Sequence, residues 1–435
     1  MTGDTLWWHR DFRLLWAGET ASQFGTFVSR TVLPVLAVTT LAATPLEMGV
    51  LTAAENAAFL VLGLPAGVWV DRVRRRPVMV WADLLRGLLL LTVPVAWWLG
   101  VLTLAHLVAV ATLVGVATVF FDVAYQSYLP SLVGREKLIE GNAKLQASQS
   151  VANVAGPGLA GTLTHLAGAA NALVTVGGSY LASAWLLRRI RAEEPSPERD
   201  GPVRLRAQVA EGLRFVFGSP ALRAITLCTA SGNLMGGAFT AVEVLFLTRD
   251  LRLSPGEVGW ALACHGFGGV LGAVTAGWCL RRIGLVRAVW LVPLLTWPAQ
   301  LLVPLSEPGW RVTLAGVGFV AVGYGVIVYN VAQVSYRQTL CPDHLLGRMN
   351  ASVRFVVWGV LPIGGLLGGV LGETLGVRTT VWLTSAGLAC SALWALLLPL
   401  RGAKDTSRHL VPGTNRERPT TRGRARPSRR TPRAR

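Results

Sequence analysis

Charge is scarce in this chain. Of its 435 residues only 15% are charged, against roughly 25% in a soluble globular chain. Cysteine is scarce too: Cys228, Cys264, Cys279, Cys341 and Cys390 are the five, and no two are spaced C-x-x-C. That argues against a disulfide framework and against a thiolate zinc site. There is no G-x-x-x-x-G-K-[ST] loop, so ATP does not drive this protein directly. No Ser/His/Asp set and no metal-spaced cluster stands out. Neither an enzyme, a metal site nor a bound cofactor is expected. The amino terminus shows no secretory signal, because its first apolar run begins near Phe12, is too long for an h-region and has no small-residue cleavage site.

What the chain does have is apolar length. Hydrophobic residues make up 52% of it, and its mean hydropathy is +0.48. The apolar runs are of roughly 18 to 25 residues, the length a hydrocarbon core of about 30 Å asks of a helix. They predict twelve spans, over 12–40, 47–70, 77–99, 103–126, 142–166 and 169–188, then 221–247, 255–280, 286–305, 311–336, 347–371 and 377–399. Trp7 and Trp8, just ahead of the first, suit an interfacial belt. The organisation expected is a six-helix bundle over 1–188, a cytoplasmic linker with an amphipathic helix over 189–220, a second bundle over 221–400, and a tail over 401–435. The tail holds twelve Lys and Arg against Asp405 and Glu417 and so supplies +10 of the net charge of +18. It is low in complexity and follows a membrane span, so a disordered segment touching anionic lipid is expected of it rather than nucleic acid.

Arginine sets the orientation. The turns at 71–76, 134–144, 188–214, 281–287 and 337–348 and the tail are rich in Lys and Arg, while 41–46, 100–102 and 167–168 have none. The positive-inside rule then puts both termini and the linker in the cytoplasm. The halves also repeat. Thr44-Pro45-Leu46-Glu47-Met48-Gly49 matches Ser254-Pro255-Gly256-Glu257-Val258-Gly259 at an offset of 210. Ser127-Tyr128, Asn142-Ala143, Gly156 and Gly161 match Ser335-Tyr336, Asn350-Ala351, Gly364 and Gly369 at an offset of 208. Matching elements keep one side of the membrane, so this is a parallel repeat, the kind whose halves are related by an axis along the membrane normal.

The turn Gly67-Val68-Trp69-Val70-Asp71-Arg72-Val73-Arg74-Arg75-Arg76 resembles the Gly-x-x-x-Asp-Arg-x-Gly-Arg-Arg hairpin of the major facilitator superfamily, with Arg74 where that pattern has Gly. The second half has Arg281 where Asp71 would be. The resemblance implies a conformational latch made by Gly67, Asp71, Arg75 and Arg76 with Asp122, holding the outward-facing state. Read without it, the arginines are a topology signal. Gly156-Pro157-Gly158-Leu159-Ala160-Gly161 is similar to the Gly-Pro-x-x-Gly-Gly antiporter signature of exporting members. Phe12-Arg13-Leu14-Leu15-Trp16, Ala82-Asp83-Leu84-Leu85-Arg86, and Phe121-Asp122 with Leu129-Pro130 resemble the macrolide, drug and siderophore exporters of that superfamily.

Ionisable residues are costly at membrane depth and mark function by default. Glu19, Gln23, Arg30, Glu55 and Glu243 are the candidates for proton coupling and the substrate cavity. Arg30 and Glu55 stand at similar depths on neighbouring spans, which makes them a candidate buried ion pair. Asp83 and Arg86 are three apart, where helical side chains meet, and are expected to form a structural ion pair. Arg354, His265, Asn56, Asn153, Asn233 and Asn330 are further polar residues at depth. The expected protein is an all-α integral membrane protein of twelve transmembrane helices in two parallel six-helix repeats. It is expected in the cell membrane as a monomer, exporting an amphipathic small molecule against protons. The alternatives are an importer or uniporter of a nutrient, and a non-transporting scaffold or sensor acting through its tail.

Overall fold

A computed structural model describes residues 6–134, 137–192, 194, 205–342 and 345–397. The tail over 401–435 and most of 193–204 lie outside the described residues, as does the side chain of Asp71.

Among the described residues thirteen α-helices follow in order. Six of them, α1 (Arg10–Thr39), α2 (Pro45–Asp71), α3 (Arg75–Trp98), α4 (Leu104–Val133), α5 (Leu138–Ala167) and α6 (Ala169–Arg188), make the first half. α7 (Leu205–Gly218) is the amphipathic linker helix. The second half is α8 (Pro220–Leu245), α9 (Pro255–Ile283), α10 (Leu285–Thr296), α11 (Val312–Leu340), α12 (Leu346–Leu375) and α13 (Val377–Ser391). A tightened turn extends α10 over Trp297–Leu302, and another extends α13 over Ala392–Leu397. α4 runs seven residues beyond its expected end, through Pro130, and stops at Gly134 (φ 74°). Apolar length fixes how much of a helix a membrane covers, and the left-handed residue fixes where the helix stops.

Among the described residues, ten helices are long and apolar enough to cross a membrane; of the twelve helices of the two halves, α1 and α5 are not among them. Each is 30 residues long, so composition, not length, sets them apart. They carry Glu19, Gln23 and Arg30, and Asn142, Gln146, Gln149 and Asn153, and all of these face an internal cavity. Polar side chains inside a bundle are compatible with a membrane crossing.

The repeat is visible in the local structure. α2 and α9 begin with the same capping box: Thr44 and Ser254 accept the N–H of Glu47 and Glu257, whose carboxylates accept the cap N–H groups at 2.8 Å. Two of the donors orphaned at each helix start are thereby satisfied, and the proline that follows each cap has no N–H to satisfy. The turn between fifth and sixth helices is a glycine at φ 85° in both halves, Gly168 and Gly376.

The same symmetry governs how the halves meet. The second helix of each packs on the fifth of the other. On the α2–α12 side, a Cβ at Gly49 would sit 2.7 Å from the Gly369 Cα, and on the α9–α5 side one at Gly259 would sit 2.6 Å from the Gly161 Cα. These are the same repeat positions with the halves exchanged. Both contacts lie at the end of the molecule away from the arginine-rich turns.

Candidate functional site

Between the halves lies a cavity of about 1380 Å³. Its upper wall ends where α2 meets α12 and α5 meets α9. Its lower wall is made by Gln126, Asn142, Gln146, Arg337 and Asn350, near the arginine-rich ends of α4, α5, α11 and α12, and it opens there, where Gln126, Asn142 and Gln146 are exposed.

In the first half, Glu19 is buried and accepts a hydrogen bond from Gln23 Nε2 at 2.6 Å, while its other oxygen has no partner. Asp122 also faces the cavity, within the fields of Arg86, Arg30 and Arg354. Arg30 projects into the cavity beside the Phe27 ring, 5.9 Å away. It reaches Glu55 only through its field, and Glu55 Oε1 is buried without a hydrogen-bond partner. The expected contact ion pair between Arg30 and Glu55 is therefore not formed: equal depth on two helices does not make two side chains point at each other. Glu243 lines the cavity from α8.

Asp83 and Arg86 do form a buried ion pair. Ser22 bridges it, at 3.3 Å from Asp83 and 3.2 Å from Arg86. The guanidinium lies 4.4 Å from the Phe121 ring centroid and 4.5 Å from that of Tyr180. Aromatic faces attract a cation at such distances.

The hairpin is held by its own half. Arg74 offers no side-chain cap to α3. Glu194, arriving from the linker, accepts the N–H groups of Arg75 and Arg76 at 2.6 and 3.1 Å and lies 3.9 Å from the Arg75 guanidinium. Arg76 donates to the carbonyls of Leu187 and Arg188. Asp122 is not brought to Arg75. It sits eleven residues from the end of α4, about 16 Å along the axis, level with Arg86. Gly67, at the base of α2, has nothing within 4 Å of a notional Cβ.

The antiporter-like stretch lies at the closed contact. Gly156 packs on Phe27, and Gly161 on the backbone of Gly256 and Gly259, with Pro157 O beside Gly259. Six polar residues not singled out from sequence, Gln126, Gln146, Gln149, Gln300, Gln333 and Arg337, also line the cavity. The signal for several was present: Asn142, Gln146, Gln149 and Asn153 recur at three- and four-residue steps, as do Asn330, Gln333 and Arg337. Each is one polar helix face.

A family model described as transmembrane secretion effector matches residues 7–420. The chain belongs to that family of major facilitator transporters. Members are multi-pass membrane proteins that act on small molecules, not enzymes. The chain is 29% identical over 370 residues, 81% of it and 87% of the relative, to the multidrug efflux pump Tap of Mycolicibacterium fortuitum. It is 28% identical over 286 residues, 62% of it and 63% of the relative, to the enterobactin exporter EntS of Salmonella typhimurium. Among solved structures it matches a bacterial homologue of the iron transporter ferroportin in an inward-facing state, at a TM-score of 0.72 with 18% identity, covering 89% of this chain and 98% of that one. It also matches the nucleoside transporter NupG, at a TM-score of 0.73 with 10% identity over the same 89% of this chain and 98% of that one. These two likenesses show the fold.

Proposed function

We propose that this protein exports amphipathic small molecules, of a drug, macrolide-like or siderophore-like kind, across the cell membrane in exchange for protons. The observation that carries the reading is the cavity of about 1380 Å³ between the halves, open at the arginine-rich end and closed at the other by backbone contact. Positive-inside orientation makes the open end cytoplasmic, along with both termini. A compound then enters from the cytoplasm, and rocking of the two bundles releases it outside. The efflux functions named for Tap and EntS support this direction.

Glu19, positioned by Gln23, and Glu55 are the proton carriers in this scheme. Rocking of the second half against the first changes how far these carboxylates are shielded from water, and desolvation, set against the fixed fields of Arg86 and Arg30, decides whether a carboxyl holds its proton. Asp83 and Arg86 stay paired throughout. Gly67, Asp71, Arg75 and Arg76 close the cytoplasmic end, with Arg75 exchanging Glu194 for a partner in the second half. The protein works as a monomer, needs no cofactor beyond the proton gradient, and lays its tail on anionic lipid. Cells expressing the protein should accumulate less of a fluorescent amphipathic dye than empty cells, and a protonophore should abolish the difference. Greater accumulation on expression would sink the proposal.

A further inference from the structure

The carboxylates at membrane depth differ in one respect. Glu19 has the Gln23 amide, Glu55 the field of Arg30, Asp83 the Arg86 guanidinium, and Asp122 the fields of three arginines. Glu243 has neither a hydrogen-bond donor nor a cation in reach among the described residues. It is half-buried and turned into the cavity, two residues before the end of α8.

Its surroundings are apolar and aromatic. Phe239 stands one turn back on the same face, and its ring meets Phe319 of α11 edge-on with centroids 6.2 Å apart. Thr240 spends its hydroxyl on the Gly236 carbonyl. Across the cavity α9 offers Leu262 and His265. Below, the space is open: a Cβ at Gly236 meets nothing within 4 Å. Gly236 is two helical turns from Glu243, about 10 Å along the axis, which leaves room for a ring system.

We propose that the closed end of the cavity binds a lipophilic cation, a protonated amine or an onium group, with Glu243 as its counter-charge and Phe239 and Phe319 as its apolar wall. An uncompensated carboxylate in a desolvated wall is costly, and a ligand that brings the opposite charge relieves the cost. Aromatic rings within about 6 Å add attraction for a cation that neutral compounds do not gain. The other acids are already served by the chain's own groups, so cation recognition falls to Glu243. This rests on reading the cavity as the transport site, and it gives that site a substrate class.

The test is equilibrium binding to the purified full chain, which has no direction and so is independent of whether transport runs outward. The probes are tetraphenylphosphonium and the neutral triphenylphosphine oxide. Wild type should prefer the cation at least tenfold. Glu243→Gln should lose at least tenfold in cation affinity and keep the neutral probe within twofold. Glu243→Asp, which retains the charge, should keep most of the cation affinity. Gly236→Leu, which fills open space, should weaken both probes. A wild type without preference for the cation overturns the proposal. So does a Glu243→Gln variant that binds the cation within twofold of wild type, or one that loses both probes equally. Should Glu243→Gln not fold, the Asp variant and the wild-type preference decide alone.

Discussion

α3 and α10 are the third helices of their halves, yet α3 runs unbroken from Arg75 to Trp98 while α10 gives way at Thr296. The residues explain it. α3 buries Asp83 and Arg86 on one face, closed by Ser22, Phe121 and Tyr180. The positions 210 further on are Pro293 and Thr296, with Pro298 following. Proline withholds a backbone donor; α3 has Pro94 one turn from its end, whereas Pro293 and Pro298 stand five apart and the chain tightens over Trp297–Leu302. That turn brings Trp297 and Gln300 to the cavity. At the closed end the halves are interchangeable, down to the Gly49–Gly369 and Gly259–Gly161 contacts. Symmetry is thus kept where the bundles rest on each other, and lost where each wall needs its own chemistry.

The largest effect should come from breaking the ionic core of the first half, Asp83 with Arg86. Arg86→Ala leaves Asp83 buried without its partner, which costs about 3–5 kcal/mol. The double variant Asp83→Asn/Arg86→Met removes both charges and should lose distinctly less, as read by thermal unfolding in detergent. Equal losses would mean that the two residues act separately.

Next are the shared glycines. At Gly161 a Cβ would stand 2.8 Å from the Gly256 carbonyl, and at Gly369 it would stand 2.9 Å from the Gly49 Cα. Backbone atoms have no rotamer by which to step aside. Gly161→Leu and Gly369→Leu should each shift the population toward the state open at that end at least tenfold, about 1.4 kcal/mol. Distances between spin labels across the closed end report it. A shift from one glycine and silence from the other would end the claim of equivalence.

How much of this was legible in the sequence depends on the range of the interaction. The helices and the parallel repeat follow from local apolar length, caps and turn residues; their order stands as the sequence puts it, while bounds shift, as where α4 runs seven residues further. Asp83 and Arg86 were legible because i,i+3 positions meet on any helix. Asp122 was not. Its neighbours come from α1, α3 and α12, and only the fold decides that they, rather than Arg75, surround it. The cavity faces of α5 and α11 were readable from spacing, since amides at three- and four-residue steps trace one face. Glu194 was hidden for another reason: it meets α3 from 119 residues away, and a linker carries no periodicity to say so.

Glu194 gives the smallest effect and the narrowest test. α3 has no cap of its own, and the Glu194 carboxylate serves its first two N–H groups. An anion at a helix start is worth about 0.3–1 kcal/mol, and the influence fades within the first turn. Glu194→Gln keeps one of the two accepting oxygens and removes the charge, so the amides of Arg75, Arg76 and Val78 should exchange about two- to fivefold faster. The corresponding start of α10 follows Gly284, which makes no side-chain cap, so the amides over 285–288 should be unchanged. Faster exchange in both places would mean that the substitution loosens the whole molecule. Faster exchange only over this first turn would show that the Glu194 carboxylate fastens the start of α3 beside the Arg76 contacts to Leu187 and Arg188.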